Sequence, residues 1–202
     1  MDNDIVHLKP LYDFVEKHLG DPSSLDGRSR IGRQYGTVCA ECVGAVCAGQ
    51  GFYLWGYFEE NGLWRNVYLG KAGKGRTANL RSRILEELKD ERWFVWRSFR
   101  SEQYLKGRSK EIYPNMWHEY EATVERAFLK RNAKYIAWVA GPNLGNEDIL
   151  RVEADLIEAL NPSANIRRPA PPSSLQDDSK RVFGMLRESI HKARPSQRGV
   201  RG

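Results

Sequence analysis

Sulfur is scarce in this 202-residue chain, which holds three Cys and three Met. All three thiols fall in one stretch, Cys39-Ala40-Glu41-Cys42-Val43-Gly44-Ala45-Val46-Cys47, with no His nearby. A closed zinc site takes four ligands and usually draws them from two pairs, so the stretch falls short of one. Reduced, mostly buried thiols in a reducing compartment are expected instead. Long apolar runs are also missing. The longest, around Val43 to Phe58, is broken by Gly and Gln and is too short to span a bilayer. The start, Met1-Asp2-Asn3-Asp4, is acidic and lacks an apolar targeting segment. A cytoplasmic location with no membrane partner is expected. No internal repeat is present.

What is there describes one domain of ordinary size, with an appendage. A chain of this length buries roughly two thirds of its unfolded surface. A hydrophobic fraction of 41% and six Trp supply a core. The net charge of +6 and pI near 9.3 point to a polyanionic partner.

Apolar spacing predicts a helix over residues 8–19, through Leu8, Leu11, Phe14, Val15 and Leu19, stopped by Gly20. Residues 21–35 are polar and read as loop. Residues 37–48, small and apolar, fit a strand or a short helix equally. The aromatic run Gly51–Phe58 reads as a strand, Asn61-Gly62 as the hairpin turn, and residues 63–69 as the returning strand. A glycine-rich basic turn, Gly70-Lys71-Ala72-Gly73-Lys74-Gly75-Arg76-Thr77, precedes a helix over residues 80–89 that Thr77 or Asn79 would cap. Further on come a helix over 116–131, a buried strand over 135–140 and an amphipathic helix over 146–160. A Pro/Ser-rich linker over 168–174, a last helix over 180–193 and a basic tail complete the chain.

Several blocks together resemble the GIY-YIG nuclease family. They are Gly51-Phe52-Tyr53, Tyr68-Leu69-Gly70-Lys71-Ala72, Asn79-Leu80-Arg81-Ser82-Arg83, and Glu153-Ala154-Asp155-Leu156-Ile157 followed by Pro162 and Asn165. The resemblance covers residues 50–166, with an insertion at about 90–133. Residues 1–49 would be an N-terminal extension, and 167–202 a linker, C-terminal helix and basic tail. It implies an α+β fold with a small three-stranded antiparallel sheet flanked by helices, and phosphodiester hydrolysis dependent on Mg²⁺ or Mn²⁺. By position, Tyr53 and Tyr68 match the two motif tyrosines and Lys71 the basic residue beside the second. Arg83 matches the helix arginine, Glu153 the metal-binding glutamate and Asn165 the supporting asparagine.

The residue types suit the chemistry. Mg²⁺ keeps several waters and needs few protein ligands, so one carboxylate can hold it, and the ion acts as Lewis acid. Arg83 can pair bidentately with phosphate oxygens. A tyrosine becomes a general base only if its pKa of about 10 is lowered, which Lys71 and a metal could do. Removing one charge-stabilising group of this kind typically costs about 10²–10³ in rate. One departure stands out: where many family members carry His or Tyr a helical turn after the arginine, this chain has Glu87. That carboxylate could orient Arg83, touch the metal or repel phosphate. Arg81 rivals Arg83, but the Asn-Leu-x-x-Arg pattern selects Arg83. Residues 70–77 nearly spell a phosphate-binding P-loop, with Arg76 where its lysine belongs and no alternating βα pattern around it.

Lys74, Arg76 and Arg81, with Arg97, Arg100 and Arg108 from the aromatic and basic insertion, are expected to meet DNA phosphates. Trp93, Trp96, Phe99 and Trp117 are expected in a core or subunit interface, and His118 on a surface. The expected function is a divalent-metal-dependent DNA endonuclease like type II restriction enzymes of that family, acting as a homodimer because one site cuts one strand. The alternatives are a non-catalytic nucleic-acid-binding module with the same fold, and a structure-specific repair nuclease.

Overall fold

In the computed structural model, four strands form one antiparallel sheet in the order β1-β4-β2-β3. The residues described are 1–18, 30–73, 79–89, 129–130, 132–142, 144–165 and 175–195. The strands are β1 (Asp2–His7), β2 (Gly51–Phe58), β3 (Trp64–Ala72) and β4 (Tyr135–Ala140). The helices are α1 (Lys9–Lys17), α2 (Arg30–Cys42), α3 (Leu80–Lys89), α4 (Asn146–Leu160) and α5 (Asp177–Ala193). No helix among the described residues is long and apolar enough to cross a membrane.

The period-2 alternation of β2 sorts its side chains between two cores. Tyr53 and Trp55 face one layer, with Leu11 and Val15 of α1, Tyr35 and Cys39 of α2, and Ile84 and Leu88 of α3. Phe52 and Leu54 face the other, with Val152 and Leu156 of α4 and Val182 and Leu186 of α5. The chain is thus α+β with helices on both faces of the sheet, and Tyr53, Leu54 and Trp55 are wholly buried in it. The hairpin joining β2 to β3 turns at Gly62, whose φ of +76° is the left-handed conformation that glycine adopts at no steric cost. A register shift between Trp55 and Gly56, which pair with Tyr68 and Asn66, leaves Val67 of β3 as the extra residue of a bulge.

The sheet has four strands where the resemblance implies three. Asp2–His7 pairs residue for residue along the outer edge of β4, and Asn3 Nδ2 donates to Met185 O (3.1 Å) and Ser189 Oγ (2.8 Å) of α5. Two further expectations are corrected. Residues 30–35 open helix α2, because Tyr35 and Cys39, one turn apart, bury against α3. Gly70-Lys71-Ala72 belongs to β3, paired with Tyr53, Phe52 and Gly51. All three cysteines are free thiols; Cys39 is buried and Cys42 and Cys47 are half-buried. The linker over 168–174, the tail beyond residue 195, Thr77, Trp93, Trp96, Phe99, Trp117, His118 and most of the helix expected over 116–131 lie outside the described residues.

Candidate active site

Tyr53 and Gly70 are cross-strand partners, and the Tyr53 ring lies where any larger residue at 70 would put its Cβ. That close approach is why the strand carries glycine there. From this position the Tyr53 hydroxyl donates to Glu87 Oε1 at 2.5 Å. Glu87 comes from α3, which opens with Asn79 Oδ1 accepting from the Ser82 amide (3.0 Å), so Asn79 is the cap. One turn separates Arg83 from Glu87, placing both on one helix face. The Arg83 guanidinium reaches Glu87 Oε1 at 3.2 Å and the exposed Glu86 at 3.7 Å.

The Glu87 carboxylate is 1% exposed, and Lys130, as deeply buried, donates to its second oxygen at 2.8 Å. Both oxygens are therefore engaged, and Glu87 orients Arg83 rather than facing outward toward a metal. Lys130 also stands 3.7 Å from the centroid of the Tyr68 ring and 4.4 Å from that of Trp55. The Tyr68 and Tyr53 rings are 6.4 Å apart, tilted by 56°. Tyr68 is half-buried, whereas Tyr53 is fully enclosed.

These surroundings set the ionisation of the cluster. Burial, then the Glu87 charge and Tyr68, push the Tyr53 phenol well above its ordinary value, against the pull of Arg83. Burial would lower Arg83, but the Tyr53 phenol and the Glu87 carboxylate outweigh it and hold the guanidinium above its ordinary value. Tyr53 is thus a neutral donor and Arg83 a fixed cation with a 44% exposed side chain.

Lys71 and Glu153 meet on the other face of β3. Lys71 lies three positions after Tyr68, so their side chains leave the strand on opposite sides, roughly 10 Å apart along it. Lys71 Nζ makes a hydrogen-bonded ion pair with Glu153 Oε2 of α4, and both side chains are about one-fifth exposed, 21% and 23%. Between the two halves runs the outer edge of β3, beside which no further strand lies among the described residues. There Asn165 Oδ1 accepts from the Leu69 amide and Asn165 Nδ2 donates to the Leu69 carbonyl, both at 2.9 Å. The Ala164 amide bonds Val67 O at 2.7 Å, so residues after α4 pair along this edge.

The expected residues therefore fall into two groups around one edge strand. Tyr53, Tyr68, Arg83 and Glu87 gather on one face; Lys71 and Glu153 meet on the other, with Asn165 between. Arg81 joins neither group, since its Nε donates to Val46 O at 2.6 Å and ties α3 to the loop before β2. Lys74, Arg76, Arg97, Arg100 and Arg108 lie outside the described residues. Lys130 belongs to the cluster but no motif marks it; a lysine in Phe128-Leu129-Lys130 reads as surface until Glu87 is seen beneath it. Among the described residues no group of three or more His, Cys, Asp or Glu side chains converges as a metal cage. The donor chemistry that remains is one partly exposed carboxylate, Glu153, which suits a hard cation that keeps most of its waters. The Lys71 ammonium occupies Oε2 of that carboxylate and must yield it to such an ion.

Compared with protein-family models, curated proteins and solved structures, the chain matches none.

Proposed function

We propose that this protein is a divalent-metal-dependent DNA endonuclease of GIY-YIG type. The observation that carries the reading is that its ordered blocks surround β3, with Tyr53, Tyr68 and Arg83 through Glu87 on one face, Lys71 with Glu153 on the other, and Asn165 on the outer edge. The Asn165 block meets β3 from 96 residues away in sequence.

Each residue then has a task. Tyr68, half-buried, is the general base that takes a proton from the attacking water. Tyr53 is not, because its own proton is held by Glu87 inside the core. Arg83 presents its exposed guanidinium to the phosphate oxygens, steered by Glu87. Glu153 would hold a Mg²⁺ or Mn²⁺ ion, which supplies Lewis-acid charge stabilisation when bound. Lys71 holds Glu153 in place before that. Asn165 fixes the backbone between Tyr68 and Gly70. A homodimer would pair two such sites for cutting both strands.

One observation favours a second reading, a nucleic-acid-binding module without cleavage: the candidate metal carboxylate already carries a cation, Lys71. Incubation with long duplex DNA and Mg²⁺, beside a Glu153→Ala control, separates the two. Discrete bands lost in the control support the nuclease, and nicking or a smear lost in the control supports a nuclease without sequence choice. DNA binding without metal-dependent cutting of duplex or branched substrates favours the binding module.

A further inference from the structure

Cleavage as described above leaves Lys130 unused. A buried lysine stays charged only with compensating partners, and Glu87 at 2.8 Å with two aromatic faces supplies them. Trp55 and Tyr68 are cross-strand partners, so the ammonium covers one pair of rings. Among the described residues two cations, Arg83 and Lys130, meet the Glu87 carboxylate.

The described charged and titratable groups around Tyr68 come from four directions. Tyr53 approaches from β2, and Arg83 and Glu87 from α3, with Glu86 reaching Arg83 from solvent at 71% exposure. On β3 itself Lys71 turns to the opposite face, where Glu153 of α4 neutralises it. Lys130, just before β4, is the cation against the Tyr68 ring. Among the described residues the cations at this cluster on the Tyr68 side of the sheet are Arg83 and Lys130, with the Glu87 carboxylate between them, and positive charge within a few ångströms favours an ionised phenol.

We propose that Lys130 is the positioning residue of this site: it holds the Tyr68 ring by its face and supplies the charge that lets Tyr68, rather than Tyr53, give up its proton. The catalytic meaning rests on the nuclease reading; the charge relation does not. In the cleavage step the Tyr68 phenolate takes a proton from water as the water oxygen bonds to phosphorus. The bond from phosphorus to the leaving oxygen breaks, and that oxygen takes a proton from solvent.

The test is a pH titration of the full chain with ¹³Cζ-labelled tyrosine, the Tyr68 signal assigned among the nine tyrosines with Tyr68→Phe. Lys130→Met is expected to raise the Tyr68 midpoint by about one pH unit or more, and Glu87→Gln to lower it. Lys130→Arg should leave it nearly in place. The opposite signs separate charge from packing, because loosened packing would move both variants the same way. If Lys130→Met does not fold, Glu87→Gln and Lys130→Arg still decide. An unchanged midpoint in Lys130→Met, or an upward shift in Glu87→Gln, overturns the proposal. Shifts of the expected signs in a protein that cuts no DNA support the charge relation and defeat the nuclease reading alone.

Discussion

The Tyr53 hydroxyl and the Glu87 carboxylate meet at 2.5 Å, with both side chains enclosed. Removing the donor leaves a buried carboxylate with one partner fewer. Tyr53→Phe should therefore cost about 1–3 kcal/mol of stability, read from the urea midpoint. Tyr68→Phe should cost less stability but reduce cleavage by about 10²-fold or more. Equal loss of cleavage in the two variants at matched stability would remove the division of roles between the tyrosines.

Gly70 faces the Tyr53 ring with no space for a methyl group. Gly70→Ala is expected to destabilise the protein by about 1–3 kcal/mol as the ring is displaced. The Tyr53–Glu87 bond should weaken with it, visible as a Tyr53 titration moving back toward its ordinary value.

Asn165 satisfies both edge groups of Leu69. Asn165→Leu should cost about 1–2 kcal/mol, softened because water can reach the edge. The Leu69 amide should exchange with solvent faster than in the wild type, and an unchanged rate would mean that Ala164 alone holds the edge.

Stability should fall on the alkaline side. Burial pushes the Cys39 thiol up from 9.0 to about 12, and the Tyr53 phenol is pushed well above 10.0. In the unfolded chain these groups release their protons at their ordinary values, while the folded chain still holds them. Stability is thus fully present below about 9 and is lost as pH rises toward 12. Cys39→Ala should flatten the slope between pH 9 and 12 in a series of thermal melts.

Lys71 and a divalent ion compete for Glu153 on the proposed reading. Lys71→Met should bind Mn²⁺ more tightly than wild type, by roughly tenfold for one removed charge, measured by electron paramagnetic resonance without DNA. Weaker binding would show that the ammonium supports the metal site instead.

Much of this was legible in the chain. Gly51–Phe58 is aromatic enough to read as a buried strand, Leu80–Lys89 carries its cap, Asn79, in plain view, and Asn146–Leu160 shows its apolar face. Asp2–His7 is different: Asp2, Asp4 and His7 fill its exposed positions, and only the open edge of β4 makes it a strand. Gly70 and Lys71 carry turn chemistry, yet they extend β3 because the Tyr53 ring needs the missing side chain. The resemblance grouped Tyr53, Arg83, Glu153 and Asn165; in the fold Tyr53 and Arg83 meet through Glu87 on one face, while Glu153 meets Lys71 on the other. Lys130 stayed hidden, since its burial depends on a carboxylate 43 residues away in sequence.

The outer position of β1 has a practical side. A fusion tag ahead of Met1, or trimming of the first seven residues, acts on the sheet itself. It would uncover β4, where five of six residues are buried, and leave a row of open amides and carbonyls on an apolar strand. Exposed edges of that kind recruit other chains, so preparations shortened at this end should precipitate or exchange strands, while those with residues 2–7 intact should stay dispersed.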